Sequence, residues 1–129
     1  MTPLRVLLAD ADPLQREGWR LVIDAQPDLG VIGEVPDGVQ LLAHLRRHAV
    51  DVVVSDVRLP RLGGLQALEQ AGRDARVRLG QREGGLRWVL VTATDLDRYA
   101  PLGVAAGADA VLWKGGEPEA LLAAIRAPV

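Results

Sequence analysis

The segment VVVSD, residues 52–56, joins three consecutive valines to a serine and an aspartate. A short, unbroken run of β-branched residues is typical of a strand that is buried on both faces of a parallel sheet. Three further apolar runs end in a polar residue in the same way: Leu4–Ala9 before Asp10, Trp88–Val91 before Thr92, and Ala110–Trp113 before Lys114. Ligands of an open parallel sheet bind beyond the carboxyl ends of its strands, so the four runs predict a site formed by Asp10, Asp56, Thr92 and Lys114.

Lys114 is the only lysine of the chain, whose other fourteen basic residues are arginines. An ammonium group is a compact point charge that suits a carboxylate or a phosphate, whereas the planar guanidinium suits bidentate contacts. The alternative is a purely structural role, in which the aliphatic part of the side chain packs on the protein and the ammonium group reaches solvent. Its uniqueness favours a place in the site.

Composition narrows the class of protein. The 129 residues are 49% hydrophobic and 25% charged, which fits one globular domain over residues 1–129. With a net charge of −2 and no long block of one sign, the sequence does not predict a basic surface for binding nucleic acid or an anionic membrane. The absence of cysteine excludes disulfides and thiolate chemistry, and no signal segment or spanning apolar stretch is evident. We therefore expect a cytoplasmic protein.

Short apolar runs alternate with segments of helical period, which predicts five βα units and a doubly wound α/β fold with helices on both faces. The predicted strands are Leu4–Asp10, Leu29–Glu34, Asp51–Asp56, Trp88–Ala93 and Ala110–Lys114. Asp12 and Pro13 predict the N-cap and first turn of the first helix, which Pro27 ends. Its predicted inward residues are Leu14, Gly18, Leu21, Val22 and Ala25.

The remaining helices are predicted less evenly. In the second helix, the residues predicted to face inward are Val39, Leu42 and Leu45. In the last helix they are Leu121, Leu122 and Ile125, and Pro128 is predicted to end that helix. The third helix should start near Gly64. Four glycines and five arginines in Gly72–Arg87 predict an exposed, mobile loop. Pro101 and Gly103 predict that the fourth helix, within Asp97–Gly107, is short or distorted.

Four ordered blocks carry a resemblance to a known family: VLLADADPLQREG, DVVVSDVRLPRLGGLQAL, WVLVTAT and GADAVLWKGGEPEALLAAI. Together they resemble the receiver domains of two-component response regulators, of the type usually joined to a helix-turn-helix output domain. The resemblance covers nearly the whole chain. It implies a flavodoxin-like sheet with strand order 2-1-3-4-5.

The resemblance also implies roles for the strand-end residues. Asp56 matches the residue that accepts a phosphoryl group from a histidine kinase, Asp10 an acid of the metal pocket, Thr92 the switch hydroxyl and Lys114 the lysine that pairs with the phosphoryl group. Magnesium would be held by Asp10, Asp56 and the backbone carbonyl of Arg58. The protein would not be an enzyme beyond gaining and losing its own phosphoryl group.

Several positions depart from the family pattern. The second of two adjacent acids after the first strand, a direct metal ligand, is here Ala11. Asp12 is the alternative acid ligand for the metal, although an N-cap role is the better interpretation. Glycines at 63 and 115 replace an acidic or amide residue and a proline, and Val111 replaces an aromatic residue. These departures predict weak binding of magnesium.

Alternatives therefore remain open. A degenerate receiver, with Asp56 paired to Lys114 and no metal, would act as an interaction or dimerisation module without phosphorylation. Asp10-Ala11-Asp12 also resembles the opening of haloacid-dehalogenase-type phosphatases, in which Asp10 would be the nucleophile. A homodimer could form through the fourth helix, the fifth strand and the last helix, around Tyr99, Leu102 and Trp113.

Two clusters of basic residues are better explained as exposed surface than as functional sites. His44 and His48 lie one helical turn apart but lack a third metal ligand, so an exposed helix face is expected. The arginines of 73–87 favour a solvated loop over a site for an acidic partner.

Overall fold

The computed structural model describes residues 2–81 and 85–127, and its centre is a five-stranded sheet. The strand order is β2-β1-β3-β4-β5, and every neighbouring pair is parallel. The strands are β1 (Leu4–Ala9), β2 (Leu29–Val35), β3 (Val52–Asp56), β4 (Arg87–Thr92) and β5 (Ala110–Trp113). The predicted fold class and strand order are confirmed, and every predicted strand bound is met within one residue.

Helices lie on both faces of the sheet. They are α1 (Pro13–Asp24), α2 (Gly38–Arg47), α3 (Gly64–Arg73), α4 (Ala75–Gly80), α5 (Leu96–Ala106) and α6 (Pro118–Arg126). One apolar core joins α1 and α6 to the sheet, and a second joins α2, α3, α4 and the end of α5 to the other face. Alternate strand residues enter opposite cores, as Val52 and Val53 do. This two-sided burial explains the unbroken apolar runs.

The buried face of α1 differs from the prediction. Trp19 and Ile23, one turn apart, are the buried residues of this helix. Of the predicted inward residues only Val22 is half-buried; the others are exposed, namely Leu14, Gly18, Leu21 and Ala25. An indole and an isoleucine remove more apolar area from water than the predicted stripe with its glycine, so the helix is rotated toward them.

The second and last helices largely confirm the prediction. Leu42 and Leu45 are buried in α2, but Val39 is 40% exposed and Leu41 takes its place in the core. In α6, Leu121 and Ile125 are buried and Leu122 is half-buried. The predicted stop at Pro128 lies outside the described residues.

The segment 72–87 is not the continuous loop that was predicted. Asp74 caps α4 by accepting a hydrogen bond from the N–H of Arg76 at 2.9 Å, and Val77 is buried in the core. Arg87 already belongs to β4. The prediction failed because the many glycines and arginines of this segment indicate a loop, whereas one buried valine and one N-cap stabilise a short helix there. Residues 82–84 of the predicted loop lie outside the described residues.

The helix α5 is longer than predicted. It runs for eleven residues with Pro101 inside and ends at Gly107, whose φ of 109° provides a left-handed C-cap. Gly103 is buried, and a Cβ there would lie 2.6 Å from Val111 Cγ2. The glycine thus allows α5 to pack closely on β5, and this packing outweighs the cost of the proline.

Within residues 2–81 and 85–127, no helix has the length and apolarity to span a bilayer. A cytoplasmic location stays a prediction.

Candidate functional site

The carboxyl ends of β1, β3 and β5 bring together Asp10, Asp56 and Lys114. The Lys114 Nζ lies 2.7 Å from Asp10 Oδ2 and 2.8 Å from Asp56 Oδ2. Asp10 is 2% exposed, because it follows the central strand β1. Residues 46 and 58 positions apart in the chain thus form one cluster of two carboxylates bridged by an ammonium.

The electrostatics of this cluster favour a charged lysine. Burial alone would lower the pKa of Lys114, but hydrogen bonding and the charges of Asp10 and Asp56 outweigh it and leave the pKa raised. The Nζ also lies 5.9 Å from the centre of the Trp19 ring, within the range of a cation–π contact. Lys114 therefore stays protonated across the ordinary pH range.

Three of the four carboxylate oxygens accept a hydrogen bond, and the fourth, Asp10 Oδ2, has only an ionic contact. Asp10 Oδ1 accepts from the N–H of Asp12 at 2.8 Å, and Asp56 Oδ1 accepts from the N–H of Arg58 at 3.0 Å. Both Oδ2 atoms face Lys114: the contact with Asp56 is a hydrogen bond, whereas that with Asp10 is close in distance but lies off the direction of a hydrogen bond. The site is compact and its donors and acceptors are largely used.

The side chain of Asp12 is directed to the helix. Its Oδ1 accepts from the N–H of Leu14 at 2.9 Å, so the predicted N-cap is confirmed. Ala11 is exposed and brings no oxygen ligand. A metal role for Asp12 would require the loss of this cap.

The fit of magnesium follows from these donors. Asp10, Asp56 and the carbonyl of Arg58 are hard oxygen ligands, and magnesium often binds through one or two carboxylates while keeping several waters. No group of three or more Asp, Glu or His side chains is placed to share a metal within the described parts of the chain. The residues therefore fit a weakly held ion that would compete with Lys114 for the two Oδ2 atoms.

Thr92 lies at the end of β4 and is 1% exposed. Its Oγ1 donates to the carbonyl of Thr94 at 2.6 Å and accepts from the N–H of Thr94 at 3.1 Å. The N–H of Lys114 in turn donates to the carbonyl of Thr92 at 2.8 Å. In this structure the hydroxyl holds the loop after β4 instead of contacting the carboxylates.

Close backbone packing supports the loop after β3. The N–H of Gly64, at the start of α3, donates to the carbonyl of Val57 at 2.9 Å. A Cβ at Gly64 would collide with the carbonyl oxygen of Asp56. The predicted helix start at Gly64 thus has a steric reason, and it fixes the backbone on which Asp56 lies.

Two arginine side chains near the site were not predicted from the sequence, which predicted only the backbone carbonyl of Arg58. Arg16 Nη1 donates to the carbonyl of Asp10 at 2.5 Å, and its Nε also pairs with Glu34. The side-chain interaction with Tyr99 is the largest cause that raises the pKa of Arg58, ahead of the charges of Asp95 and Asp56. Arg16 lies four residues after Asp12, the cap of α1, and this spacing is the only signal in the sequence that could have found it.

A known protein family matches this chain, and the match agrees with the fold and with this cluster of side chains. The sequence model of the response regulator receiver domain matches residues 6–126. The chain belongs to the response regulator receiver family. In this member of the family, the strand-end acids and the lysine lie together at the carboxyl ends of a sheet with strand order 2-1-3-4-5.

Named relatives are regulators of transcription and nitrate response. The uncharacterized transcriptional regulatory protein YxjL of Bacillus subtilis is 40% identical over 124 residues, 96% of this chain and 53% of the relative. The nitrate/nitrite response regulator NarP of Escherichia coli is 31% identical over 126 residues, 98% of this chain and 55% of the relative. The chain thus spans about half the length of these curated relatives.

Solved structures show the same fold. A LuxR-family two-component response regulator from Aurantimonas has a TM-score of 0.83 and 29% identity, covering 98% of this chain and 84% of its own. The response regulator domain of Thermotoga maritima CheB has a TM-score of 0.82 at 24% identity, covering 96% and 94%. The second likeness is one of fold alone.

Proposed function

We propose that this receiver accepts a phosphoryl group on Asp56 from the phosphohistidine of a kinase and passes the change to an output domain. The observation that carries the proposal is the bridge from Lys114 to both carboxylates at one sheet edge. Half-length coverage of the regulators YxjL and NarP supports an output domain as a separate part of the signalling protein.

In the proposed reaction, an Asp56 carboxylate oxygen attacks phosphorus and forms an acyl phosphate. The P–N bond to the donor imidazole breaks, and that nitrogen keeps the electron pair. The released Asp56–Lys114 contact leaves Nζ free to pair with a phosphoryl oxygen. Magnesium, when bound, would neutralise charge on the phosphoryl oxygens.

The conformational response would run through Thr92. To reach a phosphoryl oxygen, its hydroxyl must leave the carbonyl and N–H of Thr94. That exchange frees the loop before α5, whose first helical residue is Leu96. The proposed output is therefore a change in position of this loop and of α5.

Intact-mass spectrometry with acetyl phosphate as the donor tests the proposal. Wild type should gain a phosphoryl adduct that is absent from Asp56→Asn. Ala11→Asp adds a carboxylate at an exposed position beside Asp10, so it should lower the magnesium concentration needed for half-maximal labelling by about tenfold or more. Absence of an adduct in both wild type and Ala11→Asp would contradict the proposal.

A degenerate receiver remains the second candidate, because two specific observations favour it. Ala11 removes an oxygen ligand, and Lys114 already neutralises one of the two site carboxylates. In that case the unmodified chain would be the functional state, and Asp56→Asn would leave partner binding unchanged. The phosphatase alternative has no comparable support, since its nucleophile, Asp10, is 2% exposed and the chain belongs to the receiver family.

A further inference from the structure

A cavity of about 370 Å³ lies at the amino end of β4, away from the end of β3 that carries Asp56. Residues of α3, of α4, of the start of β4 and of the end of α5 form its walls. Its size falls within the usual range of small-molecule sites in proteins. The short helix α4 contributes one wall, so the cavity depends on the presence of this helix.

Apolar side chains dominate the walls. Leu68 and Ala71 of α3, Val77 of α4, and Leu86 and Trp88 around the start of β4 all line the cavity. Such walls favour the apolar body of a ligand, since transfer of apolar surface from water into the cavity is favourable.

One polar group in the wall has no partner. Trp88 is 1% exposed, and its Nε1–H makes no hydrogen bond to any group in residues 2–81 and 85–127. An indole N–H can only donate, and a buried donor without an acceptor is unfavourable. Since Trp88 lines the cavity, a hydrogen-bond acceptor on a ligand would satisfy this N–H after a small movement of the indole ring.

The rim carries an exposed arginine, and the glutamine beside it is held by two hydrogen bonds. Arg78 lines the cavity and is exposed. Beside it, Gln81 Nε2 donates to the carbonyl of Leu45 at 3.2 Å, and its Oε1 accepts from the N–H of Val50 at 2.9 Å. These two bonds tie the end of α4 to the region between α2 and β3, so the cavity does not depend on a ligand for its shape.

We propose that this cavity is a binding site for a small apolar or aromatic carboxylate. The apolar body would lie between Leu68, Val77 and Leu86. The acceptor oxygens would satisfy the Trp88 N–H, and the negative charge would be stabilised by Arg78. This site is separate from the Asp56 cluster and stands whether or not Asp56 is phosphorylated.

The indole N–H signals of the three tryptophans provide the test, with 2-naphthoate as the probe and 2-naphthamide as its uncharged counterpart. In two-dimensional NMR of the ¹⁵N-labelled chain, the Trp88 signal should shift and saturate with a Kd of about 1 mM or lower, as expected of a ligand this small. The signals of Trp19 and Trp113 should stay in place. Naphthamide should bind about threefold to tenfold more weakly, because it lacks the charge.

Two matched variants examine the location. Gly72 lines the cavity, and a Cβ there meets no atom within 4 Å, so Gly72→Leu can place its side chain in the cavity. Gly80 is equally unobstructed and is not part of the lining. Gly72→Leu should weaken naphthoate binding by about tenfold or more, whereas Gly80→Leu should leave it unchanged.

Three results would overturn the proposal. They are a Trp88 signal that does not move at millimolar naphthoate, equal binding by the two glycine variants, and equal shifts of all three indole signals. A Trp88 shift that follows protein concentration without a probe would show that a second copy occupies the cavity, which also contradicts a small-molecule site.

Discussion

At the scale of single residues, Lys114 holds two carboxylates that would otherwise repel each other. Its removal leaves Asp10 and Asp56 without their shared cation, so Lys114→Met should lower the free energy of unfolding by about 1–3 kcal/mol. That is below the value for a fully buried pair, because the Lys114 and Asp56 side chains keep 17% and 16% of their exposure. Urea denaturation at pH 7 measures the loss.

The control for this prediction is the double variant Asp10→Asn with Lys114→Met. Removing one negative charge together with the positive charge should restore part of the lost stability. A double variant that is less stable than Lys114→Met by the full effect of Asp10→Asn would show that the charges are not coupled.

The raised pKa of Lys114 also predicts how stability depends on pH. Because the folded pKa lies above the unfolded value of about 10.4, the contribution of Lys114 is fully present below that value and is lost as pH rises through the folded pKa. Wild type should therefore lose stability above pH ~10.4 more steeply than Lys114→Met. Denaturation midpoints between pH 8 and 11 test this, and parallel curves would contradict it.

The sequence predicts which residues lie at the strand ends and offers the Asp56–Lys114 pair as one arrangement, but it does not predict which helix side chains lie beside them. Asp10, Asp56, Thr92 and Lys114 each follow an apolar run, and parallel strands place such residues at one edge. Arg16 and Tyr99 reach the site region from helices, and the rotation of a helix depends on which side chains the tertiary core accepts.

At the scale of the elements, the packing of α5 on β5 depends on the absence of a side chain at Gly103. A Cβ there would lie 2.6 Å from Val111 Cγ2 and 3.0 Å from Leu90 Cδ1. Gly103→Ala should destabilise the chain by about 1–2 kcal/mol, since overpacking exceeds the gain in helix propensity. Thermal unfolding followed by circular dichroism measures the change.

Gly18 in α1 is the matched control for Gly103. It is exposed, and a Cβ there meets no atom within 4 Å, so Gly18→Ala should stabilise by about 0.5–1 kcal/mol through helix propensity alone. Stabilisation by both substitutions would show that α5 is free to move away from β5.

How clearly the apolar residues of a helix mark one face explains which helices could be predicted from the sequence. In α6, Leu121 and Ile125 alone decide the buried face, and the prediction is confirmed. In α1, two apolar stripes compete and the one with Trp19 is buried. In α4, a single buried valine in an arginine-rich segment gives too weak a pattern to identify a helix from the sequence.

At the scale of the whole molecule, the sheet separates two cores, and the site lies at its edge between them. β1 and β3 are central strands, whereas β5 is an edge strand that carries Lys114 at its end. In the proposed mechanism, a change at Asp56 would be transmitted toward the β5 side, where α5 packs. This side also exposes Leu102, Val104 and Trp113, which are 45%, 64% and 48% exposed.

We predict that this surface of α5, β5 and α6 mediates a homodimer that strengthens when Asp56 is phosphorylated. Exposed apolar side chains on α5 and β5 favour self-association, and a symmetric dimer uses the same surface on both copies. Val104→Glu should weaken the dimer by about tenfold or more in sedimentation equilibrium, since it places a carboxylate in the contact.

Leu21→Glu on α1, where Leu21 is 69% exposed, is the control and should have little effect. If Leu21→Glu weakens association and Val104→Glu does not, the dimer uses the α1 surface, because that variant alone would then introduce charge into the contact.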